Sequence, residues 1–436
     1  MKKTITTLSA SLFVAASAMA GGIITNTNHH ISWARMMARG ASTEIDAIYT
    51  NPAGTAFSKH EGWSLSLNSH TVFQQRDIET TYPLFPEEGH TRKYNGDAFA
   101  PSAPSAYLLY KKDRWAFQAF FGVIGGGGKC KYDDGLPQFD AAVMTALYGQ
   151  HLTPDMYTLD SSLKGSQYIY GGQLGATYRL NNNFAAHVGG RINYYYGNYT
   201  GHVNATLNNP ENTPLAALAI NCDQTGVGFT PVLGLDFKWN NLTLATKYEF
   251  KTNLSLTNKT KQLEAPAGFE KKVEAYKDGA KTDCDIPAIL YVAAGYEIIP
   301  NKLRAAVEYH FLDDCPAEMS DNRNEYLHHG THEVLGGIEW DINKTFTVSA
   351  GAQKTDYGLD DGFQSQTAFS CDSYSIGFGA AVNVTEKLRL NVGYFWTTYQ
   401  DYTKEEEHYT GALPMAGTDT YSRSNKVIGI GFDYKF

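Results

Sequence analysis

Histidines and carboxylates between residues 313 and 332 are the first candidates for chemistry. The motif His328-His329-x-x-His332 offers imidazole nitrogens, and neighbouring acids offer the oxygen ligands that hard cations prefer. The acids are Asp313, Asp314, Glu318 and Asp321. No fixed ligand spacing is met, so we expect solvated loop charges here, without a metal or a cofactor. No serine lies in a recognisable nucleophile motif, and we therefore do not expect an enzyme.

Two of the five cysteines are candidates for a disulfide bond. Cys284 and Cys315 lie at similar distances on either side of the Ile299-Pro300 turn. Antiparallel pairing of the flanking strands would place them opposite one another, and an exported protein can form such a bond.

Basic residues within apolar, alternating segments are candidates for binding an anionic head group. They are Lys247, Arg304 and Arg389, with Arg179 and Arg191 as further cations. The alternative is charge balance with acids on the same segments, because inward positions of any closed sheet are polar. The acids are Glu249, Glu308 and Glu339.

The N-terminus carries the pattern of a secretory signal peptide over residues 1–20. Basic Lys2 and Lys3 precede a mostly apolar core, and Ala18-Met19-Ala20 forms a small-x-small cleavage site. The mature chain is expected to begin at Gly21. Removing both lysines takes the formal net charge from -9 to about -11, which argues against a nucleic-acid partner.

Composition and hydropathy narrow the fold class. The chain contains 29 Tyr, 22 Phe and 41 Gly, and no run of about 18 apolar residues follows the leader. An exported chain of this kind is either soluble or a β-barrel, because only helices and closed barrels satisfy every backbone group in lipid.

Residues of different polarity alternate with a period of two along many segments, and this pattern favours the β-barrel over a soluble protein. In the last eleven residues, Ile428, Ile430 and Phe432 share one face, while Gly429 and Gly431 share the other. We place fourteen such strands, an even number, as single-chain bacterial barrels require. They span about 61–75, 101–111, 114–132, 166–180, 184–204, 223–239, 242–257, 284–298, 302–315, 332–341, 345–357, 372–383, 387–403 and 423–436. Short polar turns, such as Lys112-Asp113, Asn240-Asn241 and Pro300-Asn301, alternate with long segments between the strands. This alternation is typical of outer-membrane barrels and predicts an all-β antiparallel transmembrane barrel over residues 59–436.

Residues 21–58 precede the first strand and are too short for a domain, so we expect a plug, or hatch, inside the lumen. The stretch contains Ala38-Arg39-Gly40-Ala41, Asp46-Ala47 and Asn51-Pro52-Ala53-Gly54, and the chain ends in Phe436. With fourteen strands, this pattern resembles the FadL/TodX family of outer-membrane transporters of long-chain fatty acids and other hydrophobic compounds. The sequence leaves open whether Glu44 or Asp46 pairs with Arg39.

The third strand ends in four consecutive glycines, Gly125, Gly126, Gly127 and Gly128. Such a run cannot hold a regular ladder, because glycine contributes no packing and costs backbone entropy, so a kink or bulge is expected. The resemblance implies that this kink opens a lateral exit for apolar cargo. A glycine-rich strand end entering a loop is the alternative.

Apolar residues on this strand and on the following loop are candidates for lining the ligand path. Phe120 and Ile124 share one face of the third strand. Phe139, Val143 and Leu147 lie at helical spacing in the second long segment, which could capture cargo or act as a lid.

The expected function is passive uptake of hydrophobic molecules such as long-chain fatty acids across the outer membrane of a Gram-negative bacterium. Membrane lipid and lipopolysaccharide would surround a monomeric barrel. A general aqueous porin is the first alternative, and an outer-membrane lipid hydrolase is the second.

Overall fold

The computed structural model describes residues 28–265 and 273–436. The expected signal peptide, its cleavage site and the first residues of the expected hatch lie outside these ranges.

The described residues form one closed antiparallel sheet of eighteen strand segments, of which seventeen occupy the fourteen positions of the barrel wall. We number the positions β1 to β14 along the chain. They are β1 Gly62–Thr81, β2 Gly96–Lys112, β3 Trp115–Tyr132, β4 Tyr157–Arg179, β5 Phe184–Leu207, β6 Pro214–Trp239, β7 Leu242–Glu249 with Ser255–Glu264, β8 Lys281–Asp283 with Ala288–Ile299, β9 Leu303–Asp313, β10 Thr331–Asp341, β11 Phe346–Asp356, β12 Ser373–Asn383, β13 Leu388–Tyr399 with Tyr402–Glu406, and β14 Gly417–Lys435. The remaining segment, Thr91–Tyr94, extends a long loop against β1. Pairing of β14 with β1 closes the barrel, which confirms the predicted fold class.

The short turns and the long loops lie at opposite ends of the barrel, here called the short-turn end and the long-loop end. Three short turns contain Asp113, Asn240 and Asn301 at φ of 54°, 50° and 55°. Asn and Asp tolerate this left-handed conformation, which explains why these residues signalled turns in the sequence. At the long-loop end β4 and β6 begin at Tyr157 and Pro214, about nine residues before their predicted starts.

The two faces of the barrel wall differ as predicted. On β14, Ile428 and Ile430 are 51 % and 64 % exposed, while Val427 and Gly429, which alternate with them, are buried. Large apolar residues are exposed on the outer surface of many strands. Examples are Phe117, Phe121, Leu174, Val188, Ile192, Val227, Phe229, Leu235, Val307, Val334, Phe378 and Val392. No helix among the described residues is long and apolar enough to cross a membrane.

Residues 28–58, here called the N-terminal segment, lie inside the barrel. Its elements are the helices α1 (Ile31–Met36) and α2 (Ala47–Thr50), followed by the 3-10 helix Pro52–Phe57. All six residues of α1 are buried against β10 to β14. The backbone of Met36 contacts Gly337 and Gly351 so closely that a Cβ at either glycine would collide with it. Glycines on the inner face therefore create the space that the segment occupies.

The long-loop end is covered by a second apolar cluster, here called the outer cluster. It contains α3 (Pro137–Tyr148), whose apolar side packs on residues from four other loops and strand ends. Buried members are Tyr82, Phe85, Tyr94, Leu136, Val143, Met144, Leu147, Val203, Phe369 and Tyr421.

Candidate ligand path through the barrel

The ladder between β2 and β3 is interrupted near its middle. Pairing runs from Gly96 to Phe99 and resumes at Ser105, which is opposite Gly122. Residues 100–104 of β2 and 123–128 of β3 therefore do not pair with each other. This interruption of the hydrogen-bonded ladder is here called the seam gap.

Proline and glycine explain why the gap forms here. Pro101 and Pro104 on β2 have no N–H to donate across the seam. On β3, Gly126 and Gly128 adopt φ of 102° and 71°, which other residues rarely do. The register of β3 with β4 also shifts on either side of Gly125. The predicted irregularity of the glycine run is thus confirmed.

An apolar cluster lies inside the barrel beside the seam gap and is here called the inner cluster. Phe120 and Ile124 of β3 are 3 % and 0 % exposed and belong to it. The ring of Phe120 lies 4.9 Å from that of Tyr49 in α2 and 5.0 Å from that of Tyr107. The other members are Ile45, Ile48, Leu109, Ala116, Ile169, Tyr195, Leu254, Leu256, Cys284 and Ile286. Apolar side chains of the N-terminal segment and of the wall therefore meet next to the gap.

The five lining candidates from the sequence fall into two separate clusters. Phe120 and Ile124 lie in the inner cluster, whereas Val143 and Leu147 are buried in the outer cluster and Phe139 packs against it. Phe139 also lines a small apolar cavity of about 30 Å³ between α3 and the ends of β4 to β7.

The first turn of α3 contains a buried carboxylate. Asp140 is fully buried and accepts hydrogen bonds from Tyr94 Oη at 3.1 Å and from Arg92 Nη1 at 3.3 Å. Burial raises the pKa of Asp140 to about 6. No local pattern in the sequence indicates this role, because both partners come from the long loop between β1 and β2.

Charged residues border the inner cluster next to Tyr49. Lys247 donates to Glu249 at 2.7 Å and to the carbonyl oxygen of Tyr49 at 2.7 Å. Arg191 forms an ion pair with the same Glu249. The Tyr49 ring lies 4.8 Å from Lys247 Nζ and 5.5 Å from Arg191 Cζ. Two buried cations thus share one carboxylate directly beside apolar side chains.

Arg39 connects two parts of the N-terminal segment. It holds Asp46 in a two-pronged ion pair at 2.6 and 3.0 Å, and it also binds Glu44 at 2.8 Å. Both acids that the sequence left open are therefore partners. A third bond, at 3.2 Å, joins Arg39 to Glu339 on β10.

The Asn51-Pro52-Ala53 turn docks on the opposite wall. Asn51 Nδ2 donates to Asp236 Oδ2 at 2.5 Å and to the Ser42 carbonyl at 3.1 Å. The Pro52 carbonyl accepts from Gln118 at 3.0 Å and from Thr177 at 2.8 Å. Sequence reasoning missed Asp236, although its polar side chain among the apolar residues of β6 was a usable signal.

The structure combines a closed barrel of fourteen strands, a segment packed inside it and an interrupted ladder between the second and third strands. No family model matches the chain, and no curated protein matches it by sequence. Solved structures do match it. A Pseudomonas aeruginosa FadL homologue superposes with a TM-score of 0.65 at 14 % identity, covering 98 % of this chain and 100 % of that one.

The chain has the fold of the FadL and TodX proteins. The Pseudomonas putida toluene transporter TodX matches at TM-score 0.56 and 14 % identity, with 91 % and 95 % coverage of the two chains. The Ralstonia pickettii toluene transporter TbuX matches at TM-score 0.55 and 13 % identity, with 98 % and 99 % coverage.

In this FadL-type barrel a large cavity lies at the short-turn end, below the N-terminal segment. Its volume is about 920 Å³. Its floor contains Arg39, Glu44 and Ile45, and its wall contains Arg304 and Arg389. We call this cavity the vestibule.

The remaining head-group candidates lie in the wall of the vestibule. Arg304 binds Glu339 at 2.5 Å and Asp341 at 2.7 Å. Its charge is therefore balanced by neighbouring acids, as in the alternative to head-group binding. Arg389 is less closely paired, because Glu44 and Glu339 lie 3.8 and 3.9 Å from it.

The strand register corrects the predicted alignment of two cysteines. Pairing of β8 with β9 ends at Ala288 and Asp313, and Cys284 forms an isolated bridge with Met319. Cys284 is therefore not opposite Cys315, because the chain folds back through an additional turn after β9. Among the described residues, no group of three or more His, Cys, Asp and Glu side chains is placed to bind a metal.

Proposed function

We propose that this protein is an outer-membrane channel for the passive uptake of hydrophobic molecules such as long-chain fatty acids. The cargo binds first at the outer cluster, moves to the inner cluster and leaves sideways through the seam gap. The N-terminal segment acts as the hatch that must yield during this transfer.

The main support for this proposal is that the inner cluster lies directly beside the seam gap. Ile124 is both a member of the cluster and one of the β3 residues without a partner on β2. A molecule held among these side chains is therefore adjacent to the seam gap. Apolar surface favours an apolar occupant by about 25 cal/mol per Å² buried, so a hydrophobic ligand is stabilised there and a hydrated solute is not.

The paired cations suit a carboxylate head group at the edge of the same cluster. Arg191 lies directly beside the apolar residues, since a Cβ at Gly171 would be 2.6 Å from Ile124 and 3.0 Å from Arg191 at the same time. Arg191 and Lys247 share a single Glu249, so a fatty-acid carboxylate would add the second anion to this group.

The outer cluster supports an entry site at the long-loop end. Its small cavity is lined mainly by apolar residues, including Phe139, Leu136 and Val203. TodX and TbuX are described as toluene transporters, which agrees with an apolar cargo for this fold.

A general aqueous porin is the second candidate, and the packing of the lumen argues against it. Residues from Ile31 to Ala56 are almost all buried, so the N-terminal segment occupies the space that a water-filled pore needs. Large, steady conductance in planar bilayers would favour the porin.

A disulfide across the seam gap tests the lateral exit. A Cβ at position 128 would lie 3.4 Å from Ala100 Cβ, close to the separation of bonded cysteines. In the double variant Ala100→Cys with Gly128→Cys, oxidation should seal the gap and abolish uptake of labelled palmitate, and dithiothreitol should restore it.

The two single variants are the matched controls, and they should transport equally with and without oxidant. Undiminished uptake through a fully oxidised double variant would refute exit through the seam gap. Outer-membrane assembly is checked by the heat-dependent mobility shift of the barrel on gels.

A further inference from the structure

The vestibule has the opposite charge balance to the chain as a whole. Nine Lys and Arg residues but only five Asp and Glu residues line it, whereas the whole chain has a formal net charge of -9. Cations concentrated in a concave site raise the local concentration of anions.

Arg389 is the cation of this wall with the most unused hydrogen-bonding capacity. Its guanidinium has five N–H donors, and its hydrogen bond is a long one of 3.4 Å to Thr347 Oγ1. The carboxylates of Glu44 and Glu339 lie 3.8 and 3.9 Å away, beyond hydrogen-bond distance. Its side chain is 19 % exposed and lines the vestibule.

Glu44 is the exposed member of an otherwise buried charge group. Its side chain is 45 % exposed, whereas those of Asp46 and Glu339 are 1 % and 0 % exposed. It lies on the floor of the vestibule and reaches Arg39 at 2.8 Å and Arg389 at 3.8 Å. A carboxylate already occupies the place that an anionic ligand would take.

We propose that the vestibule is a second binding site, for small amphipathic carboxylates, in which the ligand replaces Glu44 on Arg389. The site lies at the short-turn end of the barrel, where it shares Ile45 and Leu109 with the edge of the inner cluster, and it does not depend on the proposed uptake route. The ligand carboxylate would accept two parallel N–H bonds from Arg389, a geometry that Glu44 does not reach.

The apolar part of the lining identifies the ligand class. Ala41 and Ile45 on the floor and Leu303 and Leu388 on the wall place aliphatic surface beside the cations. A short alkyl chain would bury this surface, which an inorganic anion cannot do.

Release of Glu44 would weaken one link between the N-terminal segment and β13. Arg39 would keep Asp46 and Glu339 as partners, so the segment would remain docked on β10. The exchange therefore changes the connections of residues 42–45 without unfolding the segment.

Titration calorimetry of the full-length mature protein with sodium hexanoate tests the site. The protein is kept in a zwitterionic detergent at low ionic strength, blank micelles are subtracted, and hexan-1-ol is the uncharged probe. We expect hexanoate to bind and hexanol not to bind, with an affinity that falls as NaCl is added.

Three variants separate the roles of the residues. Arg389→Gln should weaken hexanoate binding at least tenfold, whereas Glu44→Gln should strengthen it several-fold by removing the internal competitor. Arg179→Gln, at the same end of the barrel but outside the vestibule lining, should leave it unchanged.

If Arg389→Gln binds hexanoate as tightly as the wild type, the proposed binding site is wrong. If Glu44→Gln binds hexanoate only as tightly as the wild type, the proposed replacement of Glu44 by the ligand is wrong. Circular dichroism and gel mobility confirm that each variant is folded. Palmitate uptake is measured on the same variants, so that failure of the vestibule proposal can be distinguished from failure of the proposed exit through the seam gap.

Discussion

Asn51 offers the sharpest test of how the N-terminal segment is held in place. Its side-chain amide donates to Asp236 on β6 at 2.5 Å and to the Ser42 carbonyl at 3.1 Å, and Asn51 and Asp236 are both 1 % exposed. The replacement Asn51→Ala removes both bonds and leaves the Asp236 carboxylate buried without its amide partner.

The expected loss follows from the kinds of bond removed. A buried hydrogen bond to a charged group contributes about 1.5–3 kcal/mol and a neutral one about 1 kcal/mol. Docking of the segment should therefore weaken by about 2.5–4 kcal/mol, which raises its undocked population roughly 10²- to 10³-fold. The barrel itself should keep its melting temperature within a few degrees, because its strand ladders do not involve Asn51.

Hydrogen exchange measured by mass spectrometry on peptides from residues 31–57 gives the readout. Thr50→Ala is the matched control, because the Thr50 hydroxyl donates only to the Asp46 carbonyl within the segment. Exchange should accelerate strongly in Asn51→Ala and little in Thr50→Ala. If both variants exchange like the wild type, the turn is not what docks the segment.

Two further predictions concern the long-loop end and the glycine run. Because the pKa of Asp140 is raised to about 6 from an ordinary value of 3.8, its contribution to the docking of α3 is fully present below about pH 4 and is lost as the pH rises through about 6. Amide exchange is itself base-catalysed, so the readout is the protection factor, which is the ratio of the intrinsic to the observed exchange rate at each pH. The protection factor of residues 137–148 should fall between these pH values, and Asp140→Asn should remove this fall; a wild-type protection factor that does not change with pH would contradict the prediction. Gly126→Val places a Cβ 2.4 Å from the Gln167 carbonyl oxygen at a φ of 102°, so β3 must shift at a cost of about 1–3 kcal/mol and palmitate uptake should fall while assembly persists. Gly172→Val is the control, because Gly172 lies on β4 opposite Phe121, has no positive φ and has nothing within 4 Å of an added Cβ; equal uptake by the two variants would argue against a role for the β3 geometry.

Much of the barrel could be predicted from the sequence because the signals for it are local. The side chains of a strand alternate between its faces whatever it pairs with, so Ile428 and Ile430 revealed an outward face without knowledge of a neighbour. Asn240 and Asn301 marked turns because their side chains tolerate positive φ. The glycine run after Phe121 likewise predicted an irregular strand from backbone physics alone.

The contacts across the lumen were decided only by the tertiary structure. Arg39 meets Glu339 across 300 residues of sequence, and Asn51 meets Asp236 across 185. No local pattern encodes such pairs, because they depend on strand register and on which inward positions face the N-terminal segment. The same reason explains why Cys284 lies opposite Met319, and why Phe120 and Phe139 contribute to different clusters. The seam gap depends on both local sequence and tertiary structure. Gly126 and Pro101 indicate weak pairing from the sequence, but only the register of β2 with β3 places the interruption beside the buried Ile124.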